Sequence, residues 1–381
     1  MGVEFDHVVV GAGLSGLLLT RALLARAGPG SEAPTRLLLV DPRPHDDRPL
    51  TYAFWSDRPS WLHRWSIGSW NTLRVVGRSG KETTVPLGRW RYTAVDWARA
   101  RADLLDEITH DPRVTFMQES VDFIHDGPRF ASIVAGRGAV QGSWVYDSRP
   151  PSWGESSHPE RRHALPAVAQ RFRGVWVRST MPIDTTAATL LDFSADPGDD
   201  LGFAYVLPTS HASALVMAVR MGHDVPRPDP AVAVARLAGE GAWTVVDEES
   251  GDTPLLSPQP PRRVGHRVLA IGVRGGRARP STGYAVRRIL TDTEMIRRSL
   301  DRQGHPFDIP ADPRWQQMLD HVWLRALNRE GAGLEPAFVA LFTAAPVEST
   351  LRFLDGGPRA HDVFAVLRAL PPRPFVRALL G

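Results

Sequence analysis

Short apolar runs broken by glycine and charge open the chain, and helical periodicity closes it. Residues 5–10 and 36–40 read as strands ending in the apolar runs 8–10 and 37–40, and residues 14–24 carry an apolar run between them. Runs of this length around an apolar helix predict a buried strand–helix–strand unit. From Leu73 the pattern alternates as in strands; residues 93–109 place Val95, Ala98, Ala102, Leu105 and Ile108 at helical spacing, and another strand begins at Val114. A further strand is predicted to end at Asp147, Ser148 and Arg149, followed by a polar, proline-containing connector at 151–166 that reads as a domain crossing. Residues 172–179, 188–193, 202–207 and 214–220 alternate as strands of an antiparallel sheet, the last two joined by a longer hairpin connection at 208–213. A helix is predicted at 229–239, a proline-rich linker at 254–263, a strand at 268–271 and a long helix at 285–300. Beyond Pro313 the pattern is helical throughout.

A chain of 381 residues is long enough for two domains with a sizeable core. No run of about twenty apolar residues occurs, so no membrane-spanning helix is expected. The N-terminus enters a strand without a basic leader or cleavage site, so a cytoplasmic protein is expected rather than a secreted one. Cysteine is absent, which excludes disulfides, thiolate metal sites and cysteine nucleophiles. No histidine cluster has metal-ligand spacing, and no metal is expected. The net charge is +3 and Lys81 is the single lysine, so the basic character comes from arginine usage. No basic block with interleaved aromatic residues appears, which argues against nucleic acid as a partner.

The chemistry-bearing pattern is Gly11, Gly13 and Gly16 between the first strand and helix, with Asp41 at the end of the second strand. The first glycine permits a tight turn, the second a close approach of a pyrophosphate to the backbone, and the third close packing of helix on sheet. The helix N-terminus favours the diphosphate charge, and the carboxylate is placed to accept ribose hydroxyls. Strand, turn, helix and acid in this order predict a dinucleotide site. Gly275, Pro280, Thr282 and Gly283, between a strand and a helix, mark either a second place where backbone N–H groups face a ligand or an ordinary corner. Trp55, Trp61, Trp65 and Trp70 are dense enough to be core or the lining of a site for a long apolar ligand.

Taken together, these segments resemble the soluble bacterial lycopene cyclases, flavoproteins of carotenoid biosynthesis. The resemblance rests on the N-terminal fingerprint, on Thr51-Tyr52-Ala53-Phe54-Trp55, and on Asp147 with Ser148, Arg149 and Pro150. It continues through Leu191-Asp192-Phe193, the Tyr205–Pro208 hairpin strand, the segment from Gly275 to Tyr284, and the C-terminal Asn328-Arg329 and Asp355 stretches. It implies an α/β fold, with a Rossmann-like FAD-binding domain of the glutathione-reductase type, an antiparallel-sheet substrate domain and a helical C-terminal region. Residues 1–47, 101–160 and 263–300 would form the FAD domain, 48–100 and 161–262 the substrate domain, and 301–381 the helical region. Gly11, Gly13, Gly16, Asp41, Asp147, Gly275, Pro280, Thr282 and Gly283 would bind FAD. The family's reaction, as the resemblance implies it, uses reduced FAD with NADPH as electron source and makes no net redox change. An acid protonates a terminal alkene, the cation is captured by a neighbouring double bond, and a proton is lost. The substrate would be an apolar polyene or terpenoid, with possible peripheral contact at a membrane.

The family's favoured acid is a Glu in the second hairpin strand, and the aligned position here is Met217. By alternation Leu215, Met217, Val219 and Met221 share one apolar face. Asp192, in a neighbouring strand, is either a replacement acid or a carboxylate with a structural role. Three readings follow: a non-redox cyclase or isomerase of a polyene or terpenoid, a flavin-dependent oxidoreductase or monooxygenase on a specialised metabolite, or a flavin-binding homologue without activity.

Overall fold

A computed structural model describes residues 3–26, 35–43, 48–136, 138–150, 167–196, 198–238, 243–355 and 357–380; the connector expected at 151–166 lies outside them. The opening unit is β1 (Phe5–Val10), α1 (Leu14–Arg26) and β2 (Leu37–Val40). The chain then forms β3 (Thr51–Ser56), β4 (Ser66–Trp70), β5 (Thr72–Val76), β6 (Glu82–Pro86) and β7 (Arg91–Asp96). After α2 (Trp97–Thr109) come β8 (Val114–Met117), β9 (Val121–His125), β10 (Ala131–Ala135) and β11 (Gly138–Asp147). The next strands are β12 (Ala167–Ser179), β13 (Ala188–Asp192), β14 (Leu201–Ser210) and β15 (Ser213–Gly222). Then follow α3 (Ala231–Ala238), β16 (Trp243–Leu256), β17 (Val268–Ala270) and α4 (Val286–Gln303). Five helices complete the chain: α5 (Arg314–Glu330), α6 (Glu335–Thr343), α7 (Val347–Leu354), α8 (Ala360–Ala369) and α9 (Pro372–Leu380).

The first sheet runs β8-β2-β1-β11-β10-β9, with β17 also pairing β11. β1 is parallel to both β2 and β11, and all four residues of β2 are buried. Such continuous apolar runs are what strands covered on both faces require. β11 serves two partners along its length: Gly138–Gly142 pairs with β10 and Val145–Asp147 with β17. α1 and α4 pack together over this sheet, and both contribute to one apolar cluster with α2.

The second sheet runs β16-β12-β15-β14-β13-β5-β6, and β3, β7 and β4 form a small third sheet. Side chains from one face of the second sheet join the third sheet and helices α5 to α9 in the largest core cluster, which includes Trp55, Tyr92, Met217, Trp323 and Phe353. Its other face is covered by α3 through Val175, Ala204, Val216, Ala233 and Val234. An α/β layer, a mainly antiparallel sheet in which β5 joins β13 in parallel, and a helical C-terminal region are thus the observed architecture, as the sequence pattern and the resemblance predict.

Three local expectations are corrected. Residues 93–96 are not helical but complete β7, which pairs with both β3 and β4. The β-branched Thr93 and Val95 suit the strand, and Asp96 then caps α2 by accepting the Arg99 N–H at 3.0 Å. The β14–β15 connection is tight: Ser210 pairs with Ser213, and Pro208 is absorbed at a register shift. Residues 254–256 belong to β16, a strand the apolar pattern does not reveal, which pairs with β12 along its length.

Candidate functional site

The glycine turn leaves β1 at Gly11, whose φ of +100° suits glycine alone. A methyl group on Gly11 would overlap the Ser148 hydroxyl, and one on Gly16 would overlap the Gly11 carbonyl, so the protein's own packing demands both glycines. Gly13 differs, since a methyl group there meets no atom within 4 Å. Its glycine fits a role toward a ligand, at the position where a pyrophosphate approaches the backbone in this fingerprint. Asp41 is buried at the end of β2; its carboxylate accepts the Ala12 N–H at 2.7 Å and the Arg43 N–H at 2.8 Å. The expected ribose acceptor therefore also shapes the glycine loop.

Arg101 is a residue the sequence reading passed over. It lies buried beside the loop, donating from Nε to the Ala12 carbonyl at 3.0 Å and approaching Asp41 at 3.5 Å. A guanidinium here adds positive charge where a diphosphate would bind. The available signal was an arginine on the buried stripe of α2, beside Ala100 and Leu104. Asp147 ends β11 opposite Val10, and its carboxylate is held by Arg149 at 2.9 Å and Arg274 at 2.8 Å. It thereby ties the end of β11 to the stretch before Gly275. All these groups meet at the carboxyl ends of β1, β2 and β11, where open α/β sheets bind their ligands.

Gly275 has no room for a side chain against the Ala270 carbonyl, and Pro280 is buried. Thr282 and Gly283 do not aim their N–H groups at a ligand: both donate to the Arg279 carbonyl, at 3.2 and 2.7 Å, closing a turn. Arg279 anchors that turn from inside, bonded to Asp320 at 3.1 Å and stacked over Phe353 at 4.8 Å. Gly283, at φ +75°, comes so close to Gln170 of β12 that a methyl group would overlap its Oε1. That oxygen and the Ser281 hydroxyl are buried atoms without a hydrogen-bond partner. An unsatisfied buried polar atom costs about 1–3 kcal/mol, so such atoms suit a partner outside the protein. The glycine loop, Arg101 and this segment together fit FAD.

Gln170 begins a row of β12 side chains that continues through Phe172, Gly174 and Trp176 on one face of the second sheet. Opposite Gly174 stand Met217 on β15 and Glu249 on β16, and Tyr205 of β14 stands opposite Met217. The four therefore form one cross-strand row. A Cβ on Gly174 would lie 2.9 Å from Met217 Cε and 3.2 Å from Glu249 Cγ, so both side chains lean over the glycine. The Tyr205 hydroxyl donates to Met217 Sδ. Glu249 is 3 % exposed; its Oε2 accepts the Thr51 N–H at 2.6 Å, and its Oε1 has no partner. Burial pushes the Glu249 carboxyl up to about 7 and the Tyr52 hydroxyl up to about 12, and it raises the Tyr205 and Tyr284 hydroxyls well above the ordinary phenol value. Trp55, Tyr92 and Tyr284 close this side with rings 4.5 to 6.0 Å apart.

Met217 is where the alternation places it, on the apolar face, and buried. Asp192 is not brought to it. Asp192 pairs with Ala204, on the α3 face of the sheet, where it caps the turn at Phe193–Ala195 and lies 3.6 Å from Arg236 of α3. This placement sets Asp192 on the opposite face of the sheet from Met217, with its carboxylate accepting the Ser194 N–H at 3.0 Å. No group of three or more metal-ligating side chains occurs among the described residues.

The family model described as lycopene cyclase protein matches residues 6–380. Neoxanthin synthase, chloroplastic, of Solanum lycopersicum is 26% identical over 316 residues, covering 75% of this chain and 58% of that protein. The protein of the same name in Solanum tuberosum matches equally, and the chain spans a little over half the length of these plant relatives. A geranylgeranyl bacteriochlorophyll reductase-like protein of Thermoplasma acidophilum superposes with a TM-score of 0.62 at 11% identity, covering 99% of this chain and 98% of that one. A flavoprotein/dehydrogenase of Cytophaga hutchinsonii does so with 0.58 at 12% identity, covering 96% and 98%. At such identity the likeness is one of fold, and the fold is that of flavoproteins. Because the family match runs from the first strand to the last helix, the chain belongs to the lycopene cyclase family.

Proposed function

We propose that the protein binds FAD, kept reduced with NADPH as electron source, and cyclises or isomerises an acyclic polyene or terpenoid without net redox change. The observation that carries this reading is the sheet face beyond Gln170. It is built from Phe172, Trp176, Tyr205, Met217, Val219 and Met221, and it is closed from the other side by Trp55, Tyr92 and Tyr284. Such a surface accepts a long apolar chain, excludes water and offers π faces to a cation.

Gly11, Gly13, Gly16, Asp41, Arg101, Asp147 and the segment from Gly275 to Gly283 would hold the cofactor. Bound in its reduced form, FAD supplies a fixed negative charge beside a developing cation. The chain's own residues contribute the rest: the aromatic wall orients the polyene, and its dryness keeps water from capturing the cation.

Met217, at the position of the family's acid, supports the rival reading of a flavin-dependent oxidoreductase or monooxygenase. Purified holoprotein supplied with lycopene and NADPH separates the two. The cyclase reading expects cyclic product with NADPH and oxygen use far below product formed. Consumption of both in step with product establishes the rival, and retained FAD with no turnover on any acyclic polyene establishes an inactive homologue.

A further inference from the structure

Solvent reaches every side chain of β16 from Thr244 to Ser250 except Glu249. An edge strand gains nothing in stability by burying a carboxylate in the middle of such an exposed run. The charged side chains that act on Glu249 among the described residues are Asp247 of its own strand and Asp96 of β7, both acids that oppose its ionisation. The remaining titratable groups facing it are the hydroxyls of Tyr52 and Tyr205. The Thr51 N–H occupies one carboxyl oxygen, and the other is buried, unpartnered and borne by a side chain that leans over Gly174 toward Met217.

From this geometry we infer that Glu249 is the proton donor of the reaction proposed above, reaching the substrate face over Gly174, where its side chain comes beside that of Met217. The inference rests on that reading. With Oε2 accepting from Thr51, the proton resides on Oε1. The Oε1–H bond breaks as a C–H bond forms at the terminal alkene of the polyene, using that alkene's π pair and leaving a carbocation and the Glu249 carboxylate. The π pair of an internal alkene then makes the ring C–C bond and moves the positive charge into the ring. Loss of a proton from the adjacent carbon to the carboxylate re-forms an alkene and restores the acid. One proton enters and one leaves, and no oxidant or reductant is consumed. Position 217 and position 249 lie in one row, two strands apart, on either side of Gly174. The donor has therefore changed strands while keeping the same place on the face.

Two measurements test this. The first is infrared difference spectroscopy of the purified holoprotein between acid and alkaline pH. It should show a protonated carboxyl band that titrates near neutrality in wild type and is missing in Glu249→Gln. Absence of that band in wild type overturns the inference. The second is pigment analysis in a lycopene-accumulating host. Glu249→Gln preserves shape and the Thr51 contact, so it should retain FAD while ring formation falls by about a hundred- to ten-thousandfold. Met217→Glu added to that variant should recover a substantial part of the loss. If Glu249→Gln cyclises lycopene as wild type does, the inference falls and the cyclase reading stands. If wild type forms no ring from lycopene or any other acyclic polyene, the cyclase reading falls and the inference with it.

Discussion

At Gly174 a hydrogen atom stands where any other residue would carry carbon, and Met217 and Glu249 meet over that space. Gly174→Ala puts a methyl group 2.9 Å from Met217 Cε and 3.2 Å from Glu249 Cγ. Both chains must give way, at about 1–3 kcal/mol of overpacking. Urea denaturation should show that loss, and ring formation should fall at least about tenfold as the carboxyl is displaced, since misplacement of this order costs up to about a hundredfold. Ionisation of Glu249 sets a second expectation. Its folded value of about 7 lies above the ordinary 4.5, so the folded state binds the proton more tightly than the unfolded state does. The resulting stability is fully present below about pH 4 and is lost as pH rises through 7, a change of roughly 3 kcal/mol. Glu249→Gln cannot ionise, so its unfolding free energy should gain on wild type by that amount between pH 4 and pH 8. Of these residues, Met217 was legible from strand alternation. Glu249 was not, because its neighbours two residues away on either side, Asp247 and Gly251, give no apolar alternation to signal that it points inward.

Among elements, the contrast lies between β1 and β16. β1 is covered on both faces, so it ends in an unbroken buried apolar run, Val8 to Val10, and its glycine turn stands out. β16 is an edge strand whose Asp247, Glu248 and Asp252 are exposed, and it resembles a loop until its partner β12 is in place. Tertiary pairing, not local pattern, makes it a strand. The same reasoning explains the boundary at Asp96, where a strand runs directly into a helix and periodicity alone cannot locate the change. The glycine loop yields the prediction proper to this scale. Gly13→Val has no protein atom to strike within 4 Å, so the fold and its circular dichroism should persist. The purified variant should nevertheless lack the yellow flavin spectrum, because the side chain occupies the approach of the pyrophosphate. A variant that stays yellow would displace the cofactor from this loop.

For the whole molecule, no described helix is long and apolar enough to cross a membrane. The last two helices nonetheless expose Phe364 and Leu367 on α8 and Val376, Leu379 and Leu380 on α9, next to the exposed Arg368 and Arg373. Exposed apolar side chains with exposed arginines on the same helices suit an anionic lipid surface. In flotation, the protein should rise with anionic liposomes and less with neutral ones, and Phe364→Ser with Leu380→Ser should abolish the effect. Protein that stays at the bottom with both lipids shows that this face does not dock. The nucleotide layer carries a different consequence, which concerns its making. β1 and α1 receive their last neighbours, β17 beside β11 and α4 on α1, about 260 residues later in the chain. At ribosomal rates of about 5–20 residues per second, the glycine loop waits on the order of 13 to 50 seconds for them. During synthesis the end of β11 therefore keeps an unpaired edge and α1 an uncovered flank, and the second sheet is translated in full before the crevice that precedes it in the chain is complete.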